Sequence, residues 1–263
     1  MRSSSGIWVQ YLGIDSRGRQ DGNGDYTGAP QRGVLVSERR FFLLMALAIA
    51  ATVVIGFTMN AARMHWSFLA LPPQVHLHAA AFSAWILLYV VQNWLIVRGS
   101  LKWHRQLGAL GAGIAVVMVV LGIVTTVMAI EQHRVPPFFP PGIFLVLDVL
   151  GVIGFGILTA WAIVLRRQAA WHKRLMLCGT ILVMSPAIGR ILPMPLLGKF
   201  AGLGVFAVMA LYVIAGMVFD VRSRGRVHPA YWWGGGVLVA TQVLIGLLGM
   251  SPPVLRLVER LAA

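Results

Sequence analysis

Between residues 41 and 250, apolar runs of about twenty residues alternate with short segments rich in arginine, proline and glycine. A helix rises about 1.5 Å per residue, so about 20 apolar residues cross the roughly 30 Å hydrocarbon core of a bilayer. The pattern predicts seven such spans, at 41–60, 75–97, 107–130, 142–165, 175–192, 200–219 and 231–250. The fifth window is the shortest and contains Pro186 and Arg190, which predicts a kink or an early end and leaves six spans as the alternative count. The expected fold class is an all-α, polytopic transmembrane helix bundle.

Composition agrees: 58% of residues are hydrophobic, 11% are charged, and the mean hydropathy is +0.79, values that exclude a soluble enzyme. The net charge of +14 would ordinarily suggest nucleic acid, but the basic residues cluster at the ends of apolar runs, where they read as topology signals and the bilayer as the partner. Six lie in the amino-terminal tail, three between spans two and three (Arg98, Lys102, Arg105), four between spans four and five (Arg166, Arg167, Lys173, Arg174) and three between spans six and seven (Arg222, Arg224, Arg226). Sixteen of the 22 Lys and Arg thus share one side, which predicts a cytoplasmic amino terminus and an outward carboxyl terminus. Cys178, the single cysteine, falls inside a span and offers neither a disulfide framework nor a thiolate cluster.

The chain divides into 1–38, 39–250 and 251–263. The first stretch, rich in Gly, Ser, Asp and Arg, is expected to be a disordered tail, and its resemblance to untranslated sequence suggests a true start at Val34 or Val36, a reading that native peptides covering Tyr11 to Gln31 would refute. In the last stretch, Val254, Leu257, Val258 and Leu261 share one face, as in a short interfacial helix.

A hairpin repeat, 75–130 and 142–192, carries the pattern R-x4-W-H-[RK]-x-L twice: Arg98, Trp103, His104, Arg105, Leu107, then Arg166, Trp171, His172, Lys173, Leu175. Interfacial anchoring accounts for the Trp and the basic residues, both expected in turns at the membrane surface. It does not account for a histidine at the same place twice. If the hairpins are parallel repeats, His104 and His172 lie at one depth on two helices, the geometry of a paired-imidazole site.

Polar residues at membrane depth are costly, and Asp148 is the one acid well inside a span, about 9 Å below its outer edge. His78 and Arg190 are partners at similar depth, and an Asp148–Arg190 ion pair holding two helices together is the bland alternative. His76 and His78 point about 200° apart on a helix, and His78 continues as Trp85 and Gln92 at intervals of seven, so His78 is the favoured ligand and His76 the second. His65 and His133 fall in outer loops and His228 in an inner, solvated one. Gly108, Gly111, Gly113 and Gly122 in the third span and Gly151, Gly154 and Gly156 in the fourth suggest close helix packing. There is no H-E-x-x-H, G-x-S-x-G or nucleotide fingerprint.

From His76 through the Trp-His-Arg turn, Asp148, the Trp-His-Lys turn and Pro186 to Arg190, the chain resembles a group of uncharacterised bacterial multi-pass membrane proteins. These in turn resemble the multi-histidine membrane families of b-type haem cytochromes and haem-copper oxidase assembly. The resemblance implies a bacterial inner-membrane location, a respiratory or redox membrane partner, and haem b held by histidine pairs at matching depth. His104 with His172, or His78 with a loop histidine, would then be axial ligands, with Arg190 available to a propionate. Three other readings remain open: a proton-coupled transporter using Asp148 and His78, a zinc or iron site of His78, Asp148 and another histidine, and a bundle whose polar residues are purely structural.

Overall fold

The computed structural model describes residues 32–63, 71–136 and 139–263, with side chains from residue 37; the suggested start and the peptide 11–31 concern residues mostly outside that range, and His65 also lies outside it. All regular structure among the described residues is helical: α1 Arg32–Arg63, α2 Pro73–Val97, α3 Leu101–Glu131, α4 Pro141–Val164, α5 Ala169–Leu182, α6 Ser185–Ile191, α7 Met194–Leu197, α8 Ala201–Arg224, α9 Pro229–Leu248 and α10 Pro252–Ala262, with a 3-10 turn at Gly198–Phe200. Among the described residues, six helices are long and apolar enough to cross a membrane, and the α5–α6 pair, bent by 48°, brings the count to seven if it is one span rather than a re-entrant loop. The protein is a multi-pass helical membrane protein.

Local chemistry sets the helix ends. Pro73, Pro141, Pro229 and Pro252 each open a helix, where the missing N–H costs nothing. Gly225 closes α8 in a left-handed conformation at φ 73°, and Gly99 turns the chain between α2 and α3 at φ 75°. The bend falls at Val183–Met184, just before Pro186, whose ring cannot continue the ladder from α5. The expected kink is present, and helix resumes beyond it as far as Ile191.

Helices α2, α3, α4 and α5 pack in chain order, and α9 packs against α4 and α5. On the other flank, α1 meets α8 through stacked Phe41 and Phe219 rings, 4.0 Å apart, and a 2.7 Å bond between the Thr52 and Tyr212 hydroxyls. Phe155, Leu158, Leu177, Ile181 and Tyr231 are completely buried at the centre, whereas Val164, Leu87 and Leu247 are about two-thirds exposed and face lipid. Gly111, Gly122, Gly154 and Gly156 do mark close helix approaches, but Gly113 and Gly151 have open space in front of them.

Three expectations are revised. Helix α1 begins at Arg32, so residues 32–38, read as tail, are already helical. Helix α3 begins six residues earlier than expected and α5 likewise, which puts both Trp-His turns on helices. Helix α10 lies against α3 and α4 with Val254, Val258 and Leu261 partly covered, but Leu257 points outward.

Candidate functional site

His104 and His172 are each the fourth residue of their helix, α3 and α5. Each backbone N–H closes the first turn, on the carbonyls of Ser100 and Gln168 respectively. The two imidazole rings meet, their centres 6.3 Å apart and their planes at 87°. His172 is held by a carbonyl from the preceding helix of its hairpin, Nδ1 donating to Ala162 at 2.8 Å, and His104 lies beside Gln92 of the preceding helix of its own. The repeat is therefore structural at its histidines and divergent around them. Trp103 and Arg105 point outward, while Trp171 turns in against Trp161 and the His228 ring, and Lys173 enters an ion network.

The surroundings of the pair are polar and under-used. His104 Nδ1 and both amide atoms of Gln92 are buried without a hydrogen-bond partner in the protein. Gly108, one turn from His104, leaves its face of α3 bare: a Cβ there would meet only the Gln92 amide, at 3.9 Å. The stripe His78, Trp85, Gln92 faces other helices as expected, with Trp85 buried edge-on against Phe155 at 4.9 Å.

At the other end of the bundle lies a second polar cluster. The Thr125 hydroxyl donates to the Leu121 carbonyl at 2.6 Å, so in the 3.0 Å contact with His78 Nδ1 the imidazole N–H is the donor. Asp148 is coupled to Arg190 electrostatically, while the Thr126 hydroxyl donates to the Gly122 carbonyl at 2.7 Å. Arg190 donates from Nη1 to Pro186 O at 2.8 Å and stacks over Phe57 at 4.5 Å, with Nε unpartnered. His76 turns to the Leu71 carbonyl at 3.1 Å. His133 lines a cleft of about 240 Å3 beside Val258 and Ala262 of α10 instead of covering this cluster.

Among the described residues, no three His, Cys, Asp or Glu side chains converge to hold a metal ion; a zinc or iron site of His78, Asp148 and His65 would involve a residue outside that range. Arg190 is coupled to Asp148 and His78, at the opposite end of the bundle from the paired histidines, so it is not placed to serve a propionate bound between them.

The largest feature missing from the sequence reading is an ion network on the basic side. Arg174, completely buried, grips Asp220 with two nitrogens, Nε at 2.8 Å and Nη2 closer still, and reaches Glu38 Oε1 at 3.0 Å and the Ala170 carbonyl at 2.9 Å. Lys173 Nζ lies 2.6 Å and Arg224 Nη2 2.7 Å from the same Glu38 oxygen. Lys173, Arg174 and Arg224, counted as topology signals, also pair with acids inside the bundle. A signal was available: of the five acids from residue 38 onward, Glu38 and Asp220 are the two on the side that carries most of the cations.

His228, expected to be solvated, is half-buried and caps α9: its Nδ1 accepts from Ala230 N at 3.1 Å, and its own N–H bonds Asp220 at 3.1 Å. Burial, then the charge of Arg174, pushes its pKa down to about 4 despite the opposing pull of Asp220, with Arg224 and Lys173 adding to the depression. A folded-state pKa below the ordinary 6.5 means that the neutral ring's contribution is full above pH 6.5 and is lost as pH falls towards 4. Thermal midpoints measured in detergent at pH 7.5 and 4.5 are expected to fall less on acidification in His228→Asn, which keeps a capping acceptor without the titration.

No family model matches the chain, and no curated protein or solved structure is detectably similar to it.

Proposed function

We propose that this chain is a redox-linked membrane protein in which His104 and His172 hold haem b as a bis-imidazole pair, either as an electron carrier or in the assembly of a haem-containing oxidase. The observation that carries the reading is the meeting of the two repeat histidines. With centres 6.3 Å apart, the two rings are close enough that both would hold one haem iron as ligands. The residues also fit by chemistry. The Ala162 carbonyl fixes the His172 tautomer and leaves Nε2 free to ligate, while His104 Nδ1 is buried without a partner. When bound, the haem would supply one-electron chemistry tuned by the buried polar groups beside the pair. The protein's share is to hold both rings, and Gln92 would offer its amide to whatever sits between them.

The positive-inside bias puts this pair at the cytoplasmic face, and a bacterial inner membrane with a respiratory partner completes the reading. The test is the visible spectrum of detergent-purified protein, oxidised and dithionite-reduced. A Soret band with sharpened reduced bands, lost in His104→Ala and in His172→Ala but kept in His78→Ala, is the expected result. A colourless preparation from haem-replete cells would overturn it.

A second reading rests on the opposite cluster. A broken span ending at Arg190, coupled to Asp148 and near His78, is an arrangement seen where transporters bind ions or substrates at discontinuous helices. Proton-coupled uptake lost in Asp148→Asn, with the spectrum unchanged, would favour it.

A further inference from the structure

The ion network on the basic side does not balance. Three cations, Lys173, Arg174 and Arg224, face two carboxylates, Glu38 and Asp220. Arg174 spends four of its five N–H donors on Asp220, Glu38 and the Ala170 carbonyl. Glu38 also serves Lys173, through Oε1, and Arg224, through both oxygens. One positive charge is in excess.

That excess lies at the rim. The side chains of Arg174, Asp220 and Glu38 are no more than 3% exposed, whereas those of Lys173 and Arg224 are 25% and 27% exposed. Arg224 also retains Nε without a partner in the protein. Aromatic side chains surround this level: Trp161 lies 5.4 Å from Trp233 and 6.1 Å from Trp171, and Trp171 lies 5.2 Å from His228. Clustered tryptophans mark the head-group layer of a bilayer. Two cations about a quarter exposed and a surplus of one positive charge at that depth are what a phosphate monoanion requires, and basic pockets between spans on this side take lipid head groups.

We infer that Lys173 and Arg224 form a binding site for a singly charged phosphate group, supplied by an anionic phospholipid or by free phosphate. The site does not depend on the haem reading, because it rests on the network alone. Removing both rim cations leaves Arg174 to balance Glu38 and Asp220 together, so Lys173→Gln with Arg224→Gln is first checked for a monodisperse, helical fold, and Lys173→Gln alone, which keeps Arg224 on Glu38, carries the test should the pair not fold. Full-length protein in detergent would be titrated with phosphatidylglycerol, phosphatidylcholine and inorganic phosphate, following the thermal midpoint and, by native mass spectrometry, bound phospholipid. The wild type is expected to retain phosphatidylglycerol over phosphatidylcholine. The double variant should bind it roughly 30-fold more weakly, at about fivefold per cation, while Arg222→Gln, at a fully exposed neighbour, changes little. A midpoint raised equally by inorganic phosphate would assign the site to the free anion. No preference for phosphatidylglycerol and no response to phosphate, or the same response in the double variant, would overturn the inference.

Discussion

Arg174→Ala should be the most destabilising single substitution in the bundle, costing about 3–5 kcal/mol, the usual result of removing one partner from a buried ionic network. The side chain is completely buried, and its loss leaves Asp220 facing only the His228 N–H while Glu38 keeps its two rim cations. At about 2–4 °C per kcal/mol for a chain of this size, the midpoint in detergent should drop by roughly 6–20 °C. Arg174→Lys should fall in between, because an ammonium keeps the charge but cannot grip Asp220 with two nitrogens. Pairing Arg174→Met with Asp220→Leu should restore part of the loss, since apolar replacement of both partners removes the stranded carboxylate. Equal losses in the single and paired variants would show that packing around Phe42 and Tyr231, not charge, sets the cost.

Gly56→Val should come second. A Cβ at Gly56 collides with the backbone of Ala187, its carbonyl oxygen above all, and backbone cannot rotate aside as a side chain can. The substitution must push α1 away from the start of α6, at a cost of about 1–3 kcal/mol or more from overpacking. Thermal midpoints of Gly56→Val and Gly113→Ala make the comparison, because nothing lies within 4 Å of a Cβ at Gly113. The Gly113 variant should be neutral or gain up to about 1 kcal/mol from helix propensity. If both glycines tolerate substitution alike, α1 does not pack against α6 as described.

The spans were legible because lipid allows few solutions: twenty apolar residues have to form a helix. The shared level of His104 and His172 was legible because two copies of one hairpin put the same residue at the same depth; that the rings meet, 6.3 Å apart, was not, because it depends on how the hairpins pack. Asp148 and Arg190 stood out since a charge inside an apolar window has no cheap explanation. Glu38 and Asp220 did not stand out. Asp220 lies one residue beyond the predicted end of its span, and Glu38 lies at the end of what read as a polar tail, so both looked solvated. Burial at a span end is decided by which neighbours arrive there, and that is tertiary information. The same blindness affected the glycines: Gly113 and Gly151 share the composition of the packed positions and differ only in which way they face.

The Glu38 network also imposes an order on biogenesis. Glu38 precedes Arg174 by 136 residues and Arg224 by 186. At about 5–20 residues per second of synthesis, the first helix waits roughly 7–37 s at the translocon before its counter-ions exist. During that interval its acid is held at the water-facing edge, and only emergence of the fifth and eighth helices draws it inward. Closure of the amino-terminal helix onto the bundle is therefore a late event in the life of the nascent chain, and a ribosome stalled before residue 173 would leave that helix undocked and open to quality-control proteases.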